Sequence, residues 1–200
     1  MLNADRSTIC LKADMSEPDR SDVRADGAVV IGRFQPFHNG HLRLVHRAFE
    51  VGERCIVVLG SSQESRTERN PFTVGERRSM IEAAVEPEHR HRLCFVAVAD
   101  VGDEPRWARK VERVVTQVLS DSADEATICL VGAFKDPSSD YLRAFPRWPL
   151  VHVMPEPEAD GVLSATDLRA VLVKTGLFGQ SSDLLLEEAW HRLAPFVPTG

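Results

Sequence analysis

The stretch Gly32-Arg-Phe-Gln-Pro-Phe-His-Asn-Gly-His41 sets two imidazoles, His38 and His41, three residues apart. A short apolar run precedes it, and apolar residues at helical spacing follow, so it reads as a strand-to-helix turn. The first turn of a helix carries N–H groups with no intrahelical partner and the positive end of the helix dipole. Both favour an anion such as phosphate, and two imidazoles at the same mouth add donors aimed at it. The turn has neither the GxxxxGK[ST] of a P-loop nor a GxGxxG, which excludes the two common nucleotide-binding loops. A zinc reading of His-x-x-His lacks a cysteine or any third ligand cluster.

The elements that must position this turn follow from hydrophobic patterning. Near-continuous apolar runs at Ala28–Gly32, Cys55–Gly60, Leu93–Ala99, Thr127–Gly132 and Leu150–Met154 read as parallel strands covered on both faces. Between them, Leu42, Val45 and Phe49 recur at helical spacing, as do Met80, Ala83 and Ala84. Val111, Val114, Val115 and Val118 form a third stripe, and Leu168, Val171 and Leu172 a fourth. Thr73-Val-Gly-Glu76 has capping-box spacing, and Ser164-Ala-Thr-Asp167 resembles one with Asp in place of Glu. A last helix is expected over Asp183 to Leu193, ending near Pro195. Alternating strands and helices predict an α/β fold with a Rossmann-like, doubly wound parallel sheet. Residues 1–26 mix charges, Ser and Pro without periodicity and read as a mobile extension, with structure beginning at Ala28 and one domain covering residues 27–198.

Composition narrows the function classes. The 200-residue chain is 43% hydrophobic and 27% charged, ordinary for a packed globular protein, with a formal net charge of −6. That charge argues against nucleic acid or an anionic membrane as partner, so phosphate binding must be local. Cys10, Cys55, Cys94 and Cys129 are scattered and three lie in apolar runs, which fits free core thiols in a reducing compartment. No apolar stretch nears the roughly 18 residues of a membrane span, and no secretory leader is visible. The expectation is a soluble cytoplasmic protein.

The first turn resembles the GxFxPxHxGH signature of the nucleotidylyltransferase superfamily, relatives of the synthetases that carry a HIGH motif. Gly32, Phe34, Pro36, His38, Gly40 and His41 fall in place. The superfamily's second signature, ISSTxxR, has its counterpart in Leu163-Ser-Ala-Thr-Asp-Leu-Arg169, with Ala165 in place of a hydroxyl residue. There Ser164, Thr166 and the local N–H groups can bind phosphate while Arg169 neutralises it. Gly60-Ser-Ser-Gln-Glu-Ser-Arg-Thr-Glu-Arg-Asn-Pro-Phe-Thr73, with Glu76, Arg77, Met80 and Ile81, looks like the archaeal-type nicotinamide mononucleotide adenylyltransferases. Val131 to Trp148 and the Leu163–Arg169 segment look like the subgroup fused to a Nudix hydrolase. The resemblance runs from about Ala28 to Pro198, and no Nudix box follows within the 200 residues.

This resemblance implies adenylyl transfer from ATP to nicotinamide mononucleotide, giving NAD and pyrophosphate by in-line attack without a covalent intermediate. It implies ATP contacts from Gly32, Phe34, Gly40, His38, His41, Ser164, Thr166, Arg169 and Lys135, with His38, His41 and Arg169 catalytic. Arg33, Gln35, Arg69 and Trp107 fall to the mononucleotide, Trp107 matching the tryptophan that stacks on the nicotinamide ring. The archaeal proteins carry an Asn shortly before that Trp, where this chain has Asp103 and Glu104. Lys135-Asp136 reads equally as a solvated turn. Arg77 reads as pairing with Glu76 or Glu82 on an exposed helix face, and the remaining histidines form no constellation. Mg²⁺ is expected to arrive with ATP, with no protein metal ligands. The partners are ATP and the mononucleotide, with no nucleic acid and no membrane; homo-oligomerisation stays open. So do two other readings: a transferase of the same superfamily with a pantetheine phosphate, FMN or polyol phosphate acceptor, and a non-catalytic nucleotide sensor.

Overall fold

The computed structural model describes residues 24–120, 126–134, 137–154 and 165–174, with 137–138 and 171–174 described by backbone alone. The elements run β1 (Ala25–Gly32), α1 (Asn39–Val51), β2 (Gly52–Leu59), α2 (Val74–Ala84), β3 (Leu93–Ala97), α3 (Glu104–Leu119), β4 (Ile128–Gly132), β5 (Leu150–His152) and α4 (Ala165–Lys174). Two 3₁₀ segments, Pro87–Arg92 and Pro137–Ala144, lead into β3 and β5. The strands form one sheet in the order β3-β2-β1-β4-β5, and every pairing is parallel. The chain reverses its winding between β1 and β4, which opens a crevice beyond the carboxyl ends of those two strands.

Alternation along each strand divides the core into two layers. Ala28, Val30, Cys55, Val57 and Leu59 face one side, packed on Val45, Ala48 and Phe49 of α1 and Met80 and Ile81 of α2. Val29, Ile31, Ile56 and Val58 face the other, packed on Ala108, Val111, Val115 and Leu119 of α3. Both faces are covered, so the central stretches of β1, β2 and β4 are apolar at consecutive positions rather than at every second one. Leu168 of α4 joins the first layer, which anchors α4 on that side of the sheet. Cys55 and Cys129 are buried and Cys94 is half-buried, all three as free thiols, and burial pushes their acidity down.

Several boundaries differ from expectation. β1 starts at Ala25, three residues before the apolar run, because the Asp26 carboxylate accepts from both the N–H and the hydroxyl of Thr127, each at 2.7 Å. Those bonds tie the start of β1 to the residue preceding β4. β2 starts at Gly52, directly after α1. A Cβ there would lie 2.6 Å from Ala28 Cβ and 2.8 Å from its amide nitrogen; only glycine lets the strands pair so close to the helix end. The Pro137–Ala144 segment was not anticipated, since its apolar side chains follow neither a strand nor an α-helical period. The expected helix at 183–193 and residues 1–23 of the expected extension lie outside the described residues. No helix among the described residues is long and apolar enough to cross a membrane.

Candidate active site

All five strand ends border one cavity of about 550 Å³, lined among others by Gly32, Gly60, Asp100, Gly132 and Val153. Its floor is the β1–α1 turn. Phe34 takes a left-handed backbone (φ 51°), a conformation that non-glycine residues rarely hold. Its ring folds back under Gly32, where a Cβ would come within 3.0 Å of Phe34 Cζ. Glycine at position 32 is therefore a packing requirement as well as a turn signal.

His38 is the N-cap residue of α1, with no side-chain cap bond. Its carbonyl accepts from the N–H groups of His41 (2.8 Å) and Leu42 (3.0 Å). The first turn holds no acidic residue, so nothing on the helix competes with an incoming anion for the dipole. His41 and Gly40 lie in the cavity wall. His38, 5% exposed, sits behind, its ring stacked on His41 with centroids 3.7 Å apart and planes 27° apart. Phe34 meets the His41 ring edge-on at 4.9 Å, and Phe37 stacks on it at 5.7 Å. Three rings thus fix the imidazole at the helix mouth.

Arg33, Arg69 and Arg169 line the same cavity. Burial, then the charge of Arg69, push the Arg33 guanidinium below its ordinary value, while Asp100 and Glu64 oppose this. Burial, then Arg33 and Arg69, do the same to Arg169. Mutual repulsion of this kind means the three cations crowd one space, and an anion placed there relieves it. Arg33 Nη1 is buried with no hydrogen-bond partner among the described residues. Arg169 donates to the Gln35 carbonyl (2.9 Å) and the Thr166 hydroxyl (3.0 Å). Thr166 is therefore engaged with Arg169 and is not itself part of the cavity wall. Ser164 and Lys135 lie outside the described residues.

The loop from Ser61 to Thr73 carries Arg69 and is internally braced. Arg66 forks onto Glu76 with bonds of 2.7 and 2.5 Å and donates to the Pro71 carbonyl. Asn70 donates to Glu64, and Thr73 and Glu76 complete the capping box of α2. Gln35, only 1% exposed, binds both the carbonyl and the N–H of Phe72 at 2.9 Å. Its carboxamide is thus committed to this loop although the residue borders the cavity. Arg77 corrects the sequence reading. It is fully buried and pairs with neither Glu76 nor Glu82; its guanidinium donates to the carbonyls of Arg33, Gly60 and Thr73.

The cavity wall also carries an aromatic and three acidic residues. Trp107 lines it, with its ring edge-on to Tyr141 and Phe145 and its Nε1 buried without a partner among the described residues. Asp100, Asp103 and Glu104 share that wall. Asp100 is fixed by Ser61 Oγ (2.7 Å) and the Gln63 side chain. Tyr141, the chain's single tyrosine, donates to the Ile31 carbonyl at 2.8 Å, and burial pushes its phenol up to about 12. Sequence reasoning missed Asp100, Ser139 and Tyr141 as wall residues. The available signal was position, since Asp100 closely follows the third predicted strand and the other two follow the fourth.

A parallel α/β sheet with a cavity at its switch point, an imidazole pair at a helix N-terminus and three converging arginines defines a nucleotide-phosphate-binding protein of the Rossmann-like class. The cytidylyltransferase-like family profile matches residues 29–170, and the chain belongs to that family. It is 38% identical over 144 residues to the nicotinamide/nicotinic acid mononucleotide adenylyltransferase of Acinetobacter baylyi, covering 72% of this chain and 73% of that protein. It is 45% identical over 85 residues to the nicotinamide-nucleotide adenylyltransferase of Thermoplasma volcanium, covering 42% of this chain and 48% of the relative. A bifunctional NMN adenylyltransferase/ADP ribose pyrophosphatase from Francisella tularensis superposes with a TM-score of 0.61 at 29% identity, over 76% of this chain and 43% of that one. The match thus spans about half the archaeal relative and less than half of the bifunctional enzyme.

Proposed function

We propose that this chain is a nicotinamide-nucleotide adenylyltransferase, moving the adenylyl group of ATP onto nicotinamide mononucleotide to give NAD and pyrophosphate. The observation that carries this reading is the convergence of His41, Arg33, Arg69 and Arg169 on one cavity that Trp107 also lines. Anionic phosphates and a flat heterocycle are what those cations and that ring accept. The names of the relatives above support the same substrates.

The phosphate monoester of the mononucleotide has a second pKa near 6, so at neutral pH the nucleophile is largely ionised without a general base. A phosphate oxygen bonds to the α-phosphorus of ATP while the bond from that phosphorus to the bridging oxygen breaks, and pyrophosphate leaves with the electron pair. What the protein supplies is alignment and charge stabilisation. His41, at the helix mouth, donates toward the α-phosphate. His38 serves by fixing the His41 ring and by closing the helix N-terminus. Arg169 takes the pyrophosphate end, and Arg33 and Arg69 hold the two substrates' phosphates against each other. Gln35 contributes by holding the loop that presents Arg69. Mg²⁺ would arrive with ATP and would offset charge on the leaving pyrophosphate.

The test is pyrophosphate release from MgATP against a panel of acceptors: the two pyridine mononucleotides, FMN, pantetheine phosphate and ribose phosphate. Turnover with nicotinamide mononucleotide well above the others is the expected result. Preference for FMN or pantetheine phosphate would replace the acceptor and keep the transfer, and ATP binding with no release would replace catalysis with sensing.

A further inference from the structure

We infer that Arg77 is a positioning residue for the anion site, acting through the backbone of Arg33. It lies on α2, and its side chain is fully buried. Among the described residues it has no carboxylate partner; burial alone pushes its guanidinium below the ordinary value. Three carbonyl oxygens take the place of a counterion. Nη1 donates to Arg33 O and Gly60 O, both at 2.8 Å, and Nε donates to Thr73 O at 3.3 Å.

Those acceptors are not scattered. β1 ends at Gly32 and β2 at Leu59, so Arg33 and Gly60 are the first residues beyond two adjacent central strands, and both line the cavity. One nitrogen therefore spans the exits of both strands, beside the Gly60 N–H bond to Gly32 O at 2.9 Å. The bond to Arg33 O immediately precedes Phe34, whose left-handed backbone has to be held by its surroundings. Arg169 grips the next carbonyl but one, at Gln35. The two arginines thus bracket the turn that aims Arg33 into the cavity. Nη1 and Nε reach the three carbonyls from two points of one rigid plane, whereas an ammonium would have to reach them all from a single nitrogen. A purely structural arginine would add stability without caring which side chain stands at position 33.

The inference rests on the proposed function, in taking the anion at Arg33 to be a substrate phosphate. A double-mutant cycle separates the two roles: wild type, Arg77→Met, Arg33→Ala and the pair, with dissociation constants for MgATP and for nicotinamide mononucleotide measured by calorimetry. Arg77→Met is expected to weaken the ligand that Arg33 holds by about tenfold, and by less than about twofold once Arg33 is already alanine. Equal losses in both backgrounds, for both ligands, would overturn the inference. If Arg77→Met does not fold, Arg77→Lys takes its place in the cycle, with a smaller but equally non-additive loss expected. A wild-type chain that binds ATP and not the mononucleotide overturns the acceptor proposed above while the cycle is read on ATP. One that binds neither overturns both readings.

Discussion

At the scale of single residues, His41 is held by three aromatic neighbours in the cavity wall, where we propose that the anion binds. Removing one donor aimed at developing phosphate charge costs about 10²–10³ in rate. His41→Ala is therefore expected to lose that factor in kcat, with its circular dichroism unchanged; near-normal turnover would remove the role assigned to it. Trp107→Ala should raise KM for the mononucleotide and leave the dissociation constant of ATP alone, and an unchanged KM would make Trp107 a core residue only. Residues placed by near neighbours in sequence were legible in position: His38, Gly40 and His41 share one turn, and Arg169 stands three residues from the hydroxyl it binds. Arg77 and Tyr141 were not, because their acceptors are remote along the chain. The Arg33 carbonyl is 44 residues from Arg77, and the Ile31 carbonyl is 110 residues from Tyr141. An arginine beside two glutamates looks like a surface ion pair until the fold shows which face it turns inward.

At the scale of elements, strand and helix type followed from apolar patterning, since both sheet faces are covered and the runs are continuous. Boundaries shifted where polar bonds, invisible to hydropathy, extend an element, as Asp26 and Thr127 do for β1. The capping box at Thr73 was legible because its chemistry is local. That box also has a pH signature. Burial raises the Glu76 carboxyl, but bonds from Arg66 and from the Thr73 backbone and side chain outweigh it and hold the group below its ordinary 4.5. A carboxylate depressed on folding stabilises fully above its unfolded value and loses that contribution as pH falls through the folded one. Wild type should thus melt above Glu76→Gln at pH 7, with the gap narrowing below about pH 4.5 and closing at lower pH. A gap independent of pH would place the contribution of Glu76 in packing instead of charge.

At the scale of the whole molecule, a chain of net charge −6 gathers Arg33, Arg69 and Arg169 around one cavity that Asp100, Asp103 and Glu104 also line. Global charge keeps polyanions at a distance, and the local cluster admits a small one. The switch point between β1 and β4 decides where that cluster sits, which is why alternating strands and helices already pointed to this crevice before any side chain was placed. Direct transfer of the adenylyl group to the mononucleotide, as proposed above, can be followed with ATP labelled at the α-phosphorus. With nicotinamide mononucleotide and Mg²⁺, the label should appear in NAD in step with pyrophosphate, one for one. Label released as AMP, or pyrophosphate formed with no labelled dinucleotide, would contradict it.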